Sequence, residues 1–219
     1  MNSNPQNRTS VKKYGLALHT ATPELGLAIS NFDGDFRCQT WNLGRSLATD
    51  LHQHLVEFIA PQTWANLAFI AVAKGPGGFT GTRMGMVTAR TLAQQLDIPV
   101  FAISTLAAVA YNSSKKSMST HDIALQMPAQ RGQLFGAVYS VNSNSGLTEL
   151  FPDSVMTAES WQEKLESWEN SYQLIEVGSE LGSSVSGVLD LAYLEWKKGS
   201  RPNWCDALPY YGQHPVQGK

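Results

Sequence analysis

Seven consecutive apolar residues, Leu67–Ala73, run straight into Lys74-Gly75-Pro76-Gly77-Gly78-Phe79-Thr80-Gly81-Thr82-Arg83, and from there into residues 84–96, which read as a helix. A strand without a polar face is central in its sheet and covered on both sides. Strand, glycine turn and helix is also the order in which nucleotide-binding folds place phosphates, so the turn is first tested as an anion site.

It fails both nucleotide templates. A Walker A loop needs Gly-x4-Gly-Lys-Ser/Thr, but counting back from Gly81 puts Pro76 at the first glycine, and Thr82-Arg83 replaces the lysine and hydroxyl. A dinucleotide turn needs Gly-x-Gly-x-x-Gly; Gly75 and Gly77 fit, and Thr80 holds the third position. What remains is a flexible turn with Thr80 as the expected N-cap. Either it is purely structural or its free N–H groups hold an anion weakly.

The helix it launches has two apolar faces. Gly85, Met86, Ala89, Leu92, Ala93 and Leu96 form one broad arc of apolar and small residues. Met84 and Val87, flanked by Thr88 and Thr91, lie on the other, with Arg83, Arg90 and Gln94 as a polar strip. Covering one face of a sheet needs a single stripe. Either this helix is buried within its own lobe or its second face meets another subunit, small residues permitting close approach.

Around this unit the pattern interleaves strands and helices, an α/β class. Residues 14–19, 25–30 and 36–41 read as an antiparallel meander, the last two joined through Asp33-Gly34. Residues 45–60 read as an amphipathic helix closed by Pro61, with Leu47, Ala48, Leu51, Leu55, Phe58 and Ile59 on one arc. His52 and His54 in it point roughly 200° apart and cannot share one ion. Strand 99–103 follows, then a helix over 105–111 capped by Ser104-Thr105. The polar run 112–120 is the expected lobe boundary. Strands at 122–127, 133–141 and 172–177 and helices at 158–168 and 184–197 complete the count, with a turn at 142–146. The opening of the second half, ALQ-(loop)-LFGAVYS, echoes ALH-(loop)-LGLAIS at the start of the chain, which suggests a duplicated architecture. The expected division is a disordered tail at 1–13, lobes at 14–111 and 112–200, and an extended tail at 201–219.

Charge argues against a chain that grips nucleic acid alone: 16 Lys+Arg face 18 Asp+Glu. Hydrophobic residues at 42% and charged residues at 16% describe a globular chain. Cys38 and Cys205 have no Cys or His partner nearby and read as reduced thiols. The polar start lacks the apolar core of a signal peptide and no run is long enough to span a membrane, so a cytoplasmic protein is expected. No catalytic set, cofactor site or metal cluster is evident in the residue pattern.

The run GPGGFTGTRMGMVTARTLAQQLDIPVFAISTLAAVA resembles the hallmark of the TsaB (YeaZ) family, GPGSFTGLRIGLATAKGLA followed by a strand and SSLEALA. LALHTATPELGLAIS is similar to that family's opening LALDTST…VAL, QMPAQRGQLFGAVYS to its DARRGEVYxALY, and ALPYYGQHP to its PxYLRxP ending. The correspondence is good over residues 14–111 and patchy beyond. The resemblance implies an ASKHA (actin-like, RNase H-like) fold of two related lobes, each a mixed β-sheet with flanking helices. It implies a non-catalytic subunit that binds and activates its paralogue TsaD in making N6-threonylcarbamoyladenosine at position 37 of tRNAs reading ANN codons. The ATPase TsaE joins them, a homodimer forms when TsaD is absent, and tRNA is met only through the complex. In that family the first two long helices form the interface, which places the partner-binding residues here at His52, Val56, Arg83, Met84, Val87 and Thr91.

Several positions depart from the family pattern. The acidic residue of the first loop is His19, which cannot replace a hard oxygen ligand for Mg²⁺. The Asp before Ala-Arg-Arg-Gly is Pro128 or a neighbour, the tail arginine is Gly212 or Gln213, and Arg45-Ser46 stands where His-Ser is usual. The chief alternative is a small ASKHA-fold ATP-dependent enzyme or a glycoprotease-like hydrolase. His19 and Pro76 oppose the first, and the lack of HxxxH on a helix opposes the second.

Overall fold

The computed structural model describes residues 13–116, 121–142 and 146–212. Most of the expected tail at 1–13 and residues 213–219, Gln213 among them, lie outside the described residues. So do residues 117–120 of the expected lobe boundary and 143–145 of the expected turn.

Two sheets organise the chain. The first has the order β3-β2-β1-β4-β5: β1 (Tyr14–His19), β2 (Glu24–Ser30) and β3 (Phe36–Asn42) are antiparallel, and β4 (Leu67–Ala73) and β5 (Val100–Ile103) run parallel to β1. The second repeats that order with one strand fewer, β8-β7-β6-β9. Here β6 (Asp122–Pro128), β7 (Leu134–Asn142) and β8 (Gly146–Met156) are antiparallel, and β9 (Tyr172–Glu176) is parallel to β6. The echo between ALH and ALQ therefore marks equivalent strands, β1 and β6. Two such sheets with flanking helices are the ASKHA architecture.

Side chains alternate across a strand, and the first sheet uses both faces. Leu16, Leu18, Ile70 and Val72 face α1 (Leu47–Ile59) and α2 (Phe79–Leu96). Ala17, Phe69, Ala71 and Ala73 face the last helix, α5 (Val185–Lys197), through Val185, Val188, Leu189 and Ala192. The alanines on that side let α5 lie close. This is why Leu67–Ala73 is apolar throughout: helices from opposite ends of the chain cover it.

α3 (Thr105–Lys116) is longer than expected. Residues 112–116 are not a turn but the helix's last stretch, held because their polar side chains have partners on α5. Asn112 donates to Ser186 Oγ at 3.0 Å, and Lys115 pairs with Asp190. The crossing is close: a Cβ on Gly187 would lie 2.5 Å from the Ala108 carbonyl. Ser104 does cap α3, its hydroxyl accepting from the Ala107 N–H at 3.1 Å.

On the second sheet, α4 (Ala158–Glu166) buries Trp161, whose indole N–H donates to Gln126 Oε1 at 2.9 Å. Gly136 leaves room for that ring. Strand β8 has no clear period in the sequence. It is an edge strand containing Pro152, with a pairing irregularity opposite Gly136–Tyr139, so its register comes from β7. The C-terminal segment joins the two halves: the Tyr210 N–H donates to the Lys74 carbonyl at 2.7 Å, and its hydroxyl donates to the Asp153 carbonyl at 2.6 Å.

Candidate partner-binding surface

The glycine turn is clamped by protein. The Gly78 N–H donates to the Ala21 carbonyl at 2.7 Å, and the Gly75 carbonyl accepts from the Thr105 N–H at 2.8 Å. Gly75 has φ of 101°, in the region that favours glycine, and a Cβ there would meet the Tyr210 carbonyl at 2.4 Å. A donor that an anion would need is thus already in use. Thr80 is not the N-cap. The cap lies two residues earlier, at Gly78, with no side-chain hydrogen bond there, and the helix starts at Phe79.

Close approach explains the small residues of α2, though not as expected. They meet this chain's own β1–β2 loop and sheet, not another helix. A Cβ added at Gly81 would lie 2.1 Å from the Thr20 carbonyl, and one at Gly85 would lie 2.1 Å from Thr20 Oγ1. The Thr20 hydroxyl in turn donates to the Gly81 carbonyl at 2.7 Å. Met86, Ala89 and Ala93 are buried in the core beside them, and Thr88 is also buried.

The opposite face is open. Val87 is 53% exposed, and Arg83 and Thr91 are exposed. With α2 beginning at Phe79, itself 39% exposed, the residues Phe79, Arg83, Val87 and Thr91 form one ridge at i+4 spacing. Phe79 was hidden from sequence reasoning because the expected helix began at 84. The i+4 row was the available signal. Tyr211 packs on Phe79 with ring centroids 4.5 Å apart, which carries the ridge onto the C-terminal segment. Met84 lies at the margin, half-buried against the core under α2.

α1 offers a second ridge. Its buried arc is Leu47, Leu51, Leu55, Phe58 and Ile59; Ala48, expected on that arc, instead lies at its edge and is exposed with His52 and Val56 at i+4 spacing, Val56 at 61%. His52 faces solvent. His54 packs on Trp41 with centroids 4.6 Å apart, so the two histidines do not converge. α1 and α2 share one hydrophobic core beneath them. They bring His52 and Val56 to the same side of the first sheet as Arg83, Met84, Val87 and Thr91. Arg90 is elsewhere, over the Trp204 ring at 5.9 Å.

His19, at the end of β1, belongs to the interior. It is fully buried, both ring nitrogens lack a partner among the described residues, and burial lowers its pKa to about 4. The imidazole is therefore neutral at physiological pH.

The family model for TsaD, tRNA N6-adenosine threonylcarbamoyltransferase, matches residues 54–182, more than half of the chain. Among curated relatives, the tRNA threonylcarbamoyladenosine biosynthesis protein TsaB of Bacillus subtilis is 39% identical over 110 residues, covering 49% of this chain and 44% of that one. TsaB of Escherichia coli is 31% identical over 136 residues, covering 59% and 56%. The chain thus spans about half the length of the curated relatives it matches. YeaZ from Pseudomonas aeruginosa has the same fold, with a TM-score of 0.74 at 21% identity over 91% of this chain and 99% of that one. A second structure, described as an uncharacterized protein with similarity to peptidase YEAZ from Pseudomonas aeruginosa, gives 0.77 at 21% identity, covering 92% and 100%. The chain belongs to the family that the TsaD model describes, and within it to the TsaB (YeaZ) proteins.

Proposed function

We propose that this chain is a non-catalytic subunit that binds and activates TsaD in the N6-threonylcarbamoyladenosine modification of tRNAs reading ANN codons. The observation that carries the reading is the pair of exposed i+4 ridges on α1 and α2, with Val56 and Val87 each more than half exposed beside His52, Arg83, Met84 and Thr91. Two ridges on a rigid sheet suit interdigitation with a matching helix pair. The central valines would be the apolar anchor, and Arg83 and His52 the polar rim. TsaD is the partner, TsaE joins the pair, and a second copy occupies the same face when TsaD is absent. tRNA is reached only through the assembly. The enclosed, neutral His19 supports a supporting role rather than a catalytic one.

The test is a mixture of this chain with its cognate TsaD on a size-exclusion column. A stable heterodimer is expected, and Val87→Glu should weaken it on the order of 100-fold by placing an unpaired charge in the contact. Separate elution of the wild-type proteins across concentration and salt would refute the proposal. An unchanged complex with Val87→Glu and Val56→Glu would move the contact to another face.

A further inference from the structure

Between the two sheets lies a cleft of about 200 Å³, away from the α1–α2 surface. Its walls come from both halves: Ala102 and Ile103 of β5 with Ala107 of α3 on one side, Leu147 of β8 on the other, and Leu191 and Leu194 of α5 closing it. Its polar groups are few. Ser104 and Tyr139 are buried and the phenol hydroxyl contacts Ser104 Oγ at 3.4 Å and donates to Asp153 Oδ1 at 3.0 Å. Lys74, Glu149 and Glu195 also line the space.

The charges are unequally satisfied. Glu195 is paired with Lys198 at 2.7 Å. Lys74 is half-buried, and its ammonium has neither a hydrogen bond nor an ion pair among the described residues. Asp153 lies near enough to attract Lys74, but it accepts its hydrogen bond from Tyr139 and makes no ion pair with the lysine among the described residues; burial raises its pKa. On the rim, Glu149 is exposed and has no ion pair among the described residues. A lysine without a hydrogen-bonded partner, an exposed glutamate and aliphatic walls beside them define the chemistry of an occupant.

We infer that this cleft binds a small aliphatic zwitterion of the α-amino acid class. Its carboxylate would pair with Lys74, its ammonium would face Glu149, and its side chain would lie against Ile103, Leu147 and Leu194. The small volume suits a ligand below drug size, whose pockets run to ~300–1,000 Å³. A phosphate dianion is disfavoured by the carboxylates of Glu149 and Glu195 beside a single lysine.

The full chain, without partners, is titrated with L-leucine, 3-methylbutylamine, 3-methylbutanoate and inorganic phosphate, followed by amide chemical shifts and calorimetry. L-leucine should saturate shifts at Lys74, Ser104, Leu147 and Leu194. Lys74→Met should weaken it by about ten-fold, as expected for loss of a charge-assisted contact. Glu149→Gln should weaken it several-fold, and Leu194→Phe should abolish it by filling the cleft. Circular dichroism and the unfolding midpoint of each variant establish that it is folded. No saturation by L-leucine, or equal affinity in Lys74→Met, overturns the site. Binding of the amine or of 3-methylbutanoate as tight as that of L-leucine, or binding of phosphate in its place, overturns the ligand class.

Discussion

His19 gives the sharpest quantitative test of the structure. Its pKa falls from 6.5 unfolded to about 4 folded, through burial alone. Between those values the unfolded chain binds a proton that the folded chain refuses, so stability is full above about pH 6.5 and declines as pH falls. A difference of roughly 2.5 units corresponds to ~3 kcal/mol in total, of which about 2.5 kcal/mol is lost by about pH 4.5. That is a large share of the ~5–15 kcal/mol that stabilises a typical domain. The burial is complete, so solvent screening does not reduce the effect. Urea unfolding followed by tryptophan fluorescence at about pH 7.5, 5.5 and 4.5 measures it, comparing wild type with His19→Leu. Asp153, whose carboxyl titrates with the opposite sign, is common to both proteins and cancels in the difference. The variant should lose about 2–3 kcal/mol less than wild type over that range. Equal losses in the two proteins, or an imidazole that titrates near 6.5 by NMR, would refute the reasoning.

Other perturbations probe separate parts of the molecule. Gly85→Ala should cost about 1–3 kcal/mol, because its Cβ would sit 2.1 Å from Thr20 Oγ1. Gly178→Ala meets nothing within 4 Å and should stay within about 0.5 kcal/mol, both variants being measured by urea unfolding. Tyr210→Phe removes the bond to the Asp153 carbonyl and should cost about 1 kcal/mol while speeding limited proteolysis of the C-terminal segment. His19→Ala should leave tRNA modification by the reconstituted complex nearly intact. Complete loss of activity in a protein that remains folded would assign His19 a working role.

The sequence alone carried much of the framework. Leu67–Ala73 and Tyr14–His19 have the bounds that their apolar runs indicate, because a buried strand must be apolar wherever it is covered. The duplicated opening was legible because β1 and β6 occupy equivalent central places in their sheets. On the candidate surface, helical period set Val87 on a second face of its helix, whereas His52 and Val56 came from the family resemblance; the structure exposes all three.

Tertiary structure decided the rest. Residues 112–116 look like a turn by composition, yet Asn112 and Lys115 stay helical through partners on α5, some 75 residues away. β8 has no period of its own and takes its place from β7. The glycines at 75–85 looked like a phosphate loop, or like a seat for another helix. Their conformation and tight contacts answer instead to Ala21, Thr20 and Tyr210, residues distant in sequence that a local pattern cannot report. Periodicity records which face of an element is buried; only the assembled chain determines what buries it.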